Sequence, residues 1–222
     1  MESEVTVVVI SCNRLDLLMR TIQSFNAMNT YPIAEFIIID DSGNAQAHRQ
    51  ICEWFPSYTK IFNGENMGLI DSIDRVYSAV RTKYVFHIED DWEFIKPGFI
   101  EQTVQVIINS QMVMQVWVSN VNNQPEDPEI NYAWKTPYKY ASLDGVHHLW
   151  HGFTFHPSLR CMKSYKEAAP WSQWSPPTDF LALRECRIGE EYYRRGYRAA
   201  TLMDSYCIHT GGQASTWNIG QK

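Results

Sequence analysis

The sequence lacks the features that mark a membrane-spanning or disulfide-stabilised protein. Its 222 residues contain no run of about 18 apolar residues, and the mean hydropathy is −0.33. The first apolar segment, over 5–10, is too short for a signal-peptide core and has no basic flank. The five cysteines include no C-x-x-C pair, which predicts reduced structural thiols. We therefore expect a soluble, cytoplasmic protein.

An excess of positive charge and the glycine-rich phosphate loops are also missing. The net charge is −6 and the pI is near 5.6, so the chain has no general positive field that would attract nucleic acid or anionic lipid. Neither G-x-x-x-x-G-K-[ST] nor G-x-G-x-x-G occurs, which excludes the usual backbone cradles for phosphate. A diphosphate ligand would therefore need a local device, such as a bound metal ion.

Hydrophobic periodicity predicts alternating strands and helices. The β-branched run over 5–11 is typical of a strand buried on both faces. Apolar residues then recur at helical spacing behind Asn13, which is placed to cap that helix. Similar patterns predict strands over 35–39, 60–62, 84–88, 114–118 and 198–202, and helices over 70–80, 97–109 and 181–195. A further regular segment is expected over 152–156, and a long surface excursion over 120–137.

The length and this alternation indicate one α/β domain over 1–222. We expect a doubly wound, mostly parallel, Rossmann-like sheet. In this arrangement a ligand-binding half covers 1–110, and a second half, which includes a smaller region beside the sheet, covers 111–222. Ligands of such sheets bind beyond the carboxyl ends of the strands. The polar clusters that follow predicted strands are Cys12-Asn13-Arg14, Asp40-Asp41 and Glu89-Asp90-Asp91.

The acidic run Glu89-Asp90-Asp91 is the most informative of these clusters. Burying adjacent like charges is unfavourable without a compensating cation. Carboxylate oxygens suit Mg²⁺ or Mn²⁺, which typically join one or two protein carboxylates to substrate phosphates. A solvated acidic turn would explain the three residues alone equally well. The strand-end position and the missing phosphate loops favour a metal site.

Four motifs together resemble the family 2 glycosyltransferases of GT-A fold, over nearly the whole chain. The segment VVVISCNR, which ends at Arg14, resembles the family's opening strand and T-Y-N-R loop, with Cys12 in place of the usual aromatic residue. The DDSG turn at Asp40 resembles D-D-G-S, whose acid contacts the base and ribose of a nucleotide. The NMG segment at Asn66 resembles the N-x-G that lines the donor cleft, and the acidic run stands where the family has D-x-D.

The resemblance implies a nucleoside-diphosphate sugar donor, with UDP as the expected nucleotide, and Mn²⁺ or Mg²⁺ as cofactor. It implies Asp91 as the direct metal ligand, with His209 and Glu89 as further candidates, and Asp90 facing the ribose or diphosphate. The implied donor-binding residues are Ser11, Cys12, Asn13, Arg14, Asp40, Asp41, Asn66, Gly68, Asp90 and Trp150.

An inverting transfer also needs a carboxylate to take the proton from the acceptor hydroxyl. In the family this acid commonly lies about eleven residues before the glycine of R-G-[YW]. Counting back from Gly196 reaches Glu185, where the family more often has Asp. Glu190 and Glu191 are alternates, although a solvated helical face explains them more simply.

Two other functions fit parts of the pattern. A sugar nucleotidyltransferase would carry a glycine-rich basic loop after the first strand, which SCNR is not. A non-catalytic carbohydrate- or nucleotide-sugar-binding domain would tolerate the loss of Asp91 or Glu185, and both are present. The acceptor is expected to be a glycan, a protein or a lipid-linked molecule, and His147, His148 and His151 are candidate contacts to the acceptor or donor sugar. His87 is expected to lie in the core or beside the site.

Overall fold

Strands and helices alternate along the chain in the computed structural model, which describes residues 3–110, 112–119, 134–135, 140–143 and 150–212. The strands are β1 Val5–Ser11, β2 Glu35–Asp40, β3 Thr59–Phe62, β4 Tyr84–Glu89, β5 Trp92–Phe94, β6 Val113–Trp117, β7 Trp134–Lys135, β8 Tyr140–Ser142, β9 Ser158–Cys161, β10 Arg198–Leu202 and β11 Cys207–His209. The α-helices are α1 Leu15–Met28, α2 Ala45–Trp54, α3 Leu69–Ala79, α4 Phe99–Asn109, α5 Met162–Ala168 and α6 Leu181–Arg194. Within these described residues, none of the helices is long and apolar enough to cross a bilayer.

The main sheet has the strand order β3-β2-β1-β4-β9-β6-β10-β8-β7. Neighbouring strands from β3 to β4 are parallel, as are β6 and β10. Between them β9 runs antiparallel to both β4 and β6, and β8 and β7 continue the sheet antiparallel at its edge. A separate two-stranded sheet pairs β5 with β11. The expected mostly parallel α/β sheet is therefore confirmed.

Strand β1 shows why this sheet is covered on both faces. Val7 and Val9 belong to the apolar cluster that contains Leu18 of α1. Val8 belongs to the opposite cluster, which contains Ile73 of α3. Burying each such side chain contributes roughly 1.5–3 kcal/mol. Because successive side chains point to opposite faces, a strand between two helical layers must be apolar at every position.

All five cysteines lie within the described part of the chain and are free thiols, as expected.

The predicted capping role of Asn13 is wrong. Arg14 occupies the N-cap position of α1 and makes no side-chain capping bond there. Asn13 has a positive φ of 59°, and this turn lets its backbone N–H donate to Asp40 Oδ2 at 3.0 Å. Its side-chain Oδ1 accepts a hydrogen bond from Asn44 Nδ2 at 2.9 Å. Asn13 therefore ties the loop after β1 to the loop after β2.

The prediction of a regular segment over 152–156 is also wrong. These residues are irregular, and the strand begins at Ser158. The reason is that their backbone groups bind side chains instead of a neighbouring strand. The Thr154 carbonyl accepts from Gln115 Nε2 at 2.6 Å, and the Phe155 N–H donates to Glu185 Oε1 at 2.8 Å. The excursion expected over 120–137 lies outside the described residues, except for 134–135.

Helix α2, which the periodicity did not predict, begins at a side-chain cap. Asn44 Oδ1 accepts from the backbone N–H groups of Gln46 at 2.9 Å and Ala47 at 3.4 Å. Asn44→Ala is expected to lower the free energy of unfolding by about 1 kcal/mol, because those donors lose their acceptor. Urea unfolding followed by circular dichroism measures the change. Gln46→Ala, an exposed residue of the same turn, should show no such loss; equal losses in both variants would argue against the cap.

Candidate functional site

A cavity of about 1040 Å³ opens at the carboxyl ends of the parallel strands. The strands bring their ends together because Ser11 of β1 lies opposite Asp40 of β2, and Ile10 lies opposite Glu89 of β4. Most of the predicted site residues line this cavity: Ser11, Cys12, Asn13, Arg14, Asp41, Asn66, Gly68, Glu89, Asp91 and His209. The others, Asp40, Asp90, Trp150, Glu185, Glu190 and Glu191, lie outside its walls. Backbone topology therefore gathers residues that are up to about 200 positions apart in the chain.

Arg14 supplies the positive charge at the acidic run. Its guanidinium donates from Nη1 to Asp91 Oδ2 at 2.8 Å and from Nη2 to Asp90 Oδ1. Asp90 is fully buried, and its carbonyl also accepts from Thr21 Oγ1 at 2.8 Å. A buried pair of carboxylates is tolerated when a charged donor compensates it. The sequence did not predict this role of Arg14.

Asp91 is held against the segment that follows β11. The pairing of His209 with Trp92 places His209 Nε2 3.3 Å from Asp91 Oδ2. The Asp91 carbonyl accepts from the Thr210 N–H at 2.8 Å and from its hydroxyl at 3.0 Å. A Cβ on Gly211 would stand 2.4 Å from Asp91 Oδ2, so this close approach requires glycine. Asp91 Oδ1 is buried and finds no hydrogen-bond partner among the described residues.

The three acids differ in their pKa values. Burial and the charges of Asp91 and Asp90 raise the pKa of Glu89 to about 8. Burial raises the pKa of Asp90 to about 6, against the lowering effect of Arg14. Burial also acts to raise the pKa of Asp91, but the hydrogen bond to His209 and the charge of Arg14 outweigh it, so that pKa is lowered. At neutral pH, Asp91 is therefore the member that most readily carries negative charge.

The acidic site has donors that suit a hard divalent ion. Across the described ranges, no three His, Cys, Asp or Glu side chains are arranged as a complete metal cluster. Asp91, with its unpartnered buried oxygen, and His209 nevertheless offer a carboxylate and an imidazole on one cavity wall. Mg²⁺ and Mn²⁺ sites often use one or two protein ligands and complete the shell with substrate phosphates and water. These two residues fit such a site.

Asp40 organises the loops that form the base of the cavity. It is fully buried, and its Oδ2 accepts from the Asn13 N–H. Its Oδ1 accepts from the N–H of Ser42 at 3.0 Å and lies 3.2 Å from His48 Nε2. Since its oxygens already bind protein groups and it does not line the cavity, its direct effect here is to fix these loops.

Asp41 fixes the N-x-G segment in front of α3. Its Oδ1 accepts from Asn63 Nδ2 at 2.6 Å and from the Met67 N–H at 2.8 Å, and its Oδ2 accepts from the Gly68 N–H at 2.8 Å. Asn63 is fully buried and was missed in the sequence; its signal was a polar residue directly after β3. Asn66 Nδ2 in turn donates to Cys12 Sγ at 3.4 Å.

Glu185 lies on α6 and does not line the cavity. Its Oε1 accepts from Thr154 Oγ1 and from the Phe155 N–H, both at 2.8 Å. Burial raises the pKa of Glu185, and its charge contributes to the raised pKa of Glu89. The carboxyl is therefore near the acidic run without being part of it.

The remaining predicted side chains have partners elsewhere. Trp150 donates from Nε1 to the Phe153 carbonyl at 2.8 Å. Glu190 binds Arg194 Nε at 2.7 Å and lies 2.8 Å from His151 Nε2, and Glu191 pairs with Arg195 at the surface. His87 is fully buried, with Tyr77 Oη 3.0 Å from its Nδ1, as expected for a core residue. His147 and His148 lie outside the described residues.

The sequence also matches a family model. The model of glycosyl transferase family 2 matches residues 6–168, which is well over half of the chain. The chain belongs to this family. The match begins in β1 and ends at the last residue of α5, so it includes the acidic run and the turns at Asp40 and Asn66 but not Glu185 or His209.

Solved glycosyltransferases share the fold of this family 2 member. The mannosyltransferase PcManGT from Pyrobaculum calidifontis, in complex with GDP-Man and Mn²⁺, matches with a TM-score of 0.69 and 17% identity, over 97% of this chain and 59% of that one. TarS 1–349 from S. aureus matches with a TM-score of 0.67 and 13% identity, over 94% of this chain and 61% of that one. The chain thus spans about three fifths of their length, and the GT-A fold is confirmed. No curated protein sequence matches significantly.

Proposed function

We propose that this chain is a metal-dependent inverting glycosyltransferase that moves a sugar from a nucleoside-diphosphate sugar to a hydroxyl acceptor. One observation carries the proposal. Asp91, which has a buried oxygen without a hydrogen-bond partner among the described residues, and His209 line the same cavity as Asn66 and Gly68 of the donor-cleft motif. Family membership supports the transferase activity, and PcManGT was solved with a nucleotide-sugar and Mn²⁺.

Different residues of the chain bind the nucleoside, the metal ion and the diphosphate of the donor. The turns held by Asp40 and Asp41 present Cys12, Asn66 and Gly68 to the nucleoside. Asp91 and His209 would hold Mn²⁺ or Mg²⁺, which when bound neutralises charge on the departing diphosphate. Arg14, already paired with Asp91, adds a fixed positive charge on the same side. Glu89 lines the cavity and stays a candidate metal ligand, whereas Asp90 pairs with Arg14. The contact of Trp150 with the donor sugar stays a prediction.

Glu185 is assigned the acceptor's proton. In a single displacement, the acceptor oxygen forms a bond to the anomeric carbon as the bond from that carbon to the diphosphate oxygen breaks. The hydroxyl proton passes to the Glu185 carboxylate. Because the acceptor oxygen attacks the face opposite the departing diphosphate, the configuration at the anomeric carbon is inverted. The two donors on Oε1 orient this carboxylate and leave Oε2 for the acceptor.

Thermal unfolding with a donor panel tests this function. At a donor concentration 100 times Kd, binding stabilises by about 2.7 kcal/mol, which for a chain of this size corresponds to a Tm rise of roughly 5–10 °C. The panel pairs Mn²⁺ with UDP-sugars, the expected donors, and with GDP-sugars, and EDTA should abolish the rise. Nucleotide release is followed in parallel with glycan acceptors. Indifference to every nucleotide would overturn the proposal, and stabilisation without release for any acceptor would favour the binding-module alternative.

A further inference from the structure

Arg160 is a charged side chain in an unusual place. It lies on β9, between Val85 of β4 and Gln115 of β6, and is 3% exposed. A buried guanidinium is costly unless hydrogen bonds and opposite charges compensate it. The groups that contact the Arg160 guanidinium therefore indicate which segment this side chain stabilises.

The guanidinium of Arg160 holds the segment that binds Glu185. Its Nη2 donates to the Thr154 carbonyl at 2.9 Å, and its Nε donates to Ser158 Oγ at 3.1 Å. Gln115 Nε2 donates to the same Thr154 carbonyl. Thr154 is thus fixed from two strands, and it presents its own hydroxyl to Glu185 Oε1.

Aromatic rings enclose the same guanidinium. The centroids of Phe153, Phe155 and Trp171 lie 5.5, 5.9 and 5.2 Å from its central carbon. The ring faces attract the cation and keep it in one position. Arg160 Nη1 is buried and has no hydrogen-bond partner in the described parts of the chain. The cation interacts through its charge with the carboxylates of Glu89 and Glu185.

The charged and titratable groups around Glu185 come from several elements. The charge of Arg160 on β9 acts on Glu185 of α6 and Glu89 of β4. Burial raises the pKa of Glu185, and the hydrogen bonds from Phe155 and Thr154 and the charge of Arg160 oppose that rise. The phenols of Tyr77 on α3 and Tyr192 on α6 also face Arg160. Cys186 neighbours Glu185 on its own helix.

We propose that Arg160 is a positioning residue for the transfer reaction: it fixes Thr154, and together they hold the Glu185 carboxylate ionised and directed. The inference rests on the proposed role of Glu185 as the base. In this role Arg160 contacts neither the donor nor the acceptor. It acts through the hydrogen bonds that Thr154 and Phe155 give to Glu185.

Thr154→Val tests the proposal with little change of shape. The hydroxyl favours the ionised carboxylate, so its loss raises the pKa of Glu185, and the acid limb of the kcat profile moves to higher pH. We expect kcat to fall about tenfold or more, since a hydrogen bond to a charged group is lost, with donor affinity unchanged. Thr103→Val is the matched control, because Thr103 is buried and bonds carbonyls within α4. Arg160→Met should move the acid limb of the kcat profile in the same direction. If Arg160→Met does not fold, the result for Thr154→Val decides whether the proposal holds.

A ¹³C NMR titration of the Glu185 carboxyl, assigned against Glu185→Gln, gives a readout that needs no turnover. A raised pKa in Thr154→Val supports the proposal, whereas an unchanged pKa and acid limb overturn it. Failure of the proposed function has a different signature, because wild-type protein would then release no nucleotide with any donor and acceptor. A kcat loss accompanied by weaker donor binding and no shift of the limb would show a merely structural role.

Discussion

Replacing Glu185 by Gln will lower kcat by about 10²- to 10⁴-fold, the usual contribution of a general base, and leave donor binding intact. The amide keeps an oxygen at the position of Oε1, so the hydrogen bonds from Thr154 and Phe155 are retained. What it loses is the ability to take a proton. Steady-state kinetics, combined with the Tm rise caused by donor and Mn²⁺, separates the two effects.

Glu190→Gln and Glu191→Gln are the matched controls, since they remove the same charge from the same helix. Glu190 pairs with Arg194 and Glu191 with Arg195, each four residues further along the chain. Such surface pairs contribute little, so near wild-type kcat is expected for both. A large loss in either control, with normal turnover in Glu185→Gln, would move the base to the alternate residue.

The pH profile gives a second check on Glu185. Burial raises the pKa of this carboxyl above its usual value, and the base must be ionised to accept a proton. The kcat of wild-type protein should therefore fall as pH decreases through that raised pKa. The Glu190→Gln control should keep this limb, whereas residual activity of Glu185→Gln should lack it.

The elements with strong periodicity were predictable from sequence, and those defined by long-range contacts were not. The bounds of β1 and β10 agree with the prediction. Every residue of β1 is buried, and so are the last four of the five residues of β10, so both strands are recognisable as runs of mostly uncharged residues. Helix α2 was missed since it buries just Ala47 and Ile51, too few for a clear stripe. The reversal of β9 depends on pairing with β4 and β6, which no local pattern encodes.

The position of the site was also predictable, but its internal contacts were not. Polar residues directly after parallel strands indicated one shared edge, and the cavity lies there. Neighbouring residues nevertheless have different surroundings: Asp41 lines the cavity while Asp40 does not. The pairing of Arg14 with the acidic run and the hold of Thr154 on Glu185 join residues about 30 to 80 positions apart. Spacing along the chain carries no direct signal for such contacts.

Asp91→Asn is expected to weaken Mn²⁺ binding and to lower turnover while preserving the fold. An isosteric change is needed because Gly211 packs so closely against the carboxylate that a Cβ there would stand 2.4 Å from Oδ2. The neutral amide removes the charge that would attract a divalent ion. Since metal assistance is worth several kcal/mol and each 1.4 kcal/mol is tenfold, turnover should fall by on the order of 100-fold or more.

The metal itself provides the decisive readout for Asp91. Free Mn²⁺ has a strong electron paramagnetic resonance signal that weakens on binding, so titrating protein and nucleotide measures affinity without turnover. Asp91→Asn should require on the order of 100-fold more Mn²⁺, whereas Glu93→Gln, which removes a surface carboxylate paired with Arg20, should bind as wild type. Equal Mn²⁺ affinity in wild type and Asp91→Asn would refute the ligand assignment. Because Arg14 also binds Asp90, the site keeps a charged pair in the variant, which favours retention of the local structure.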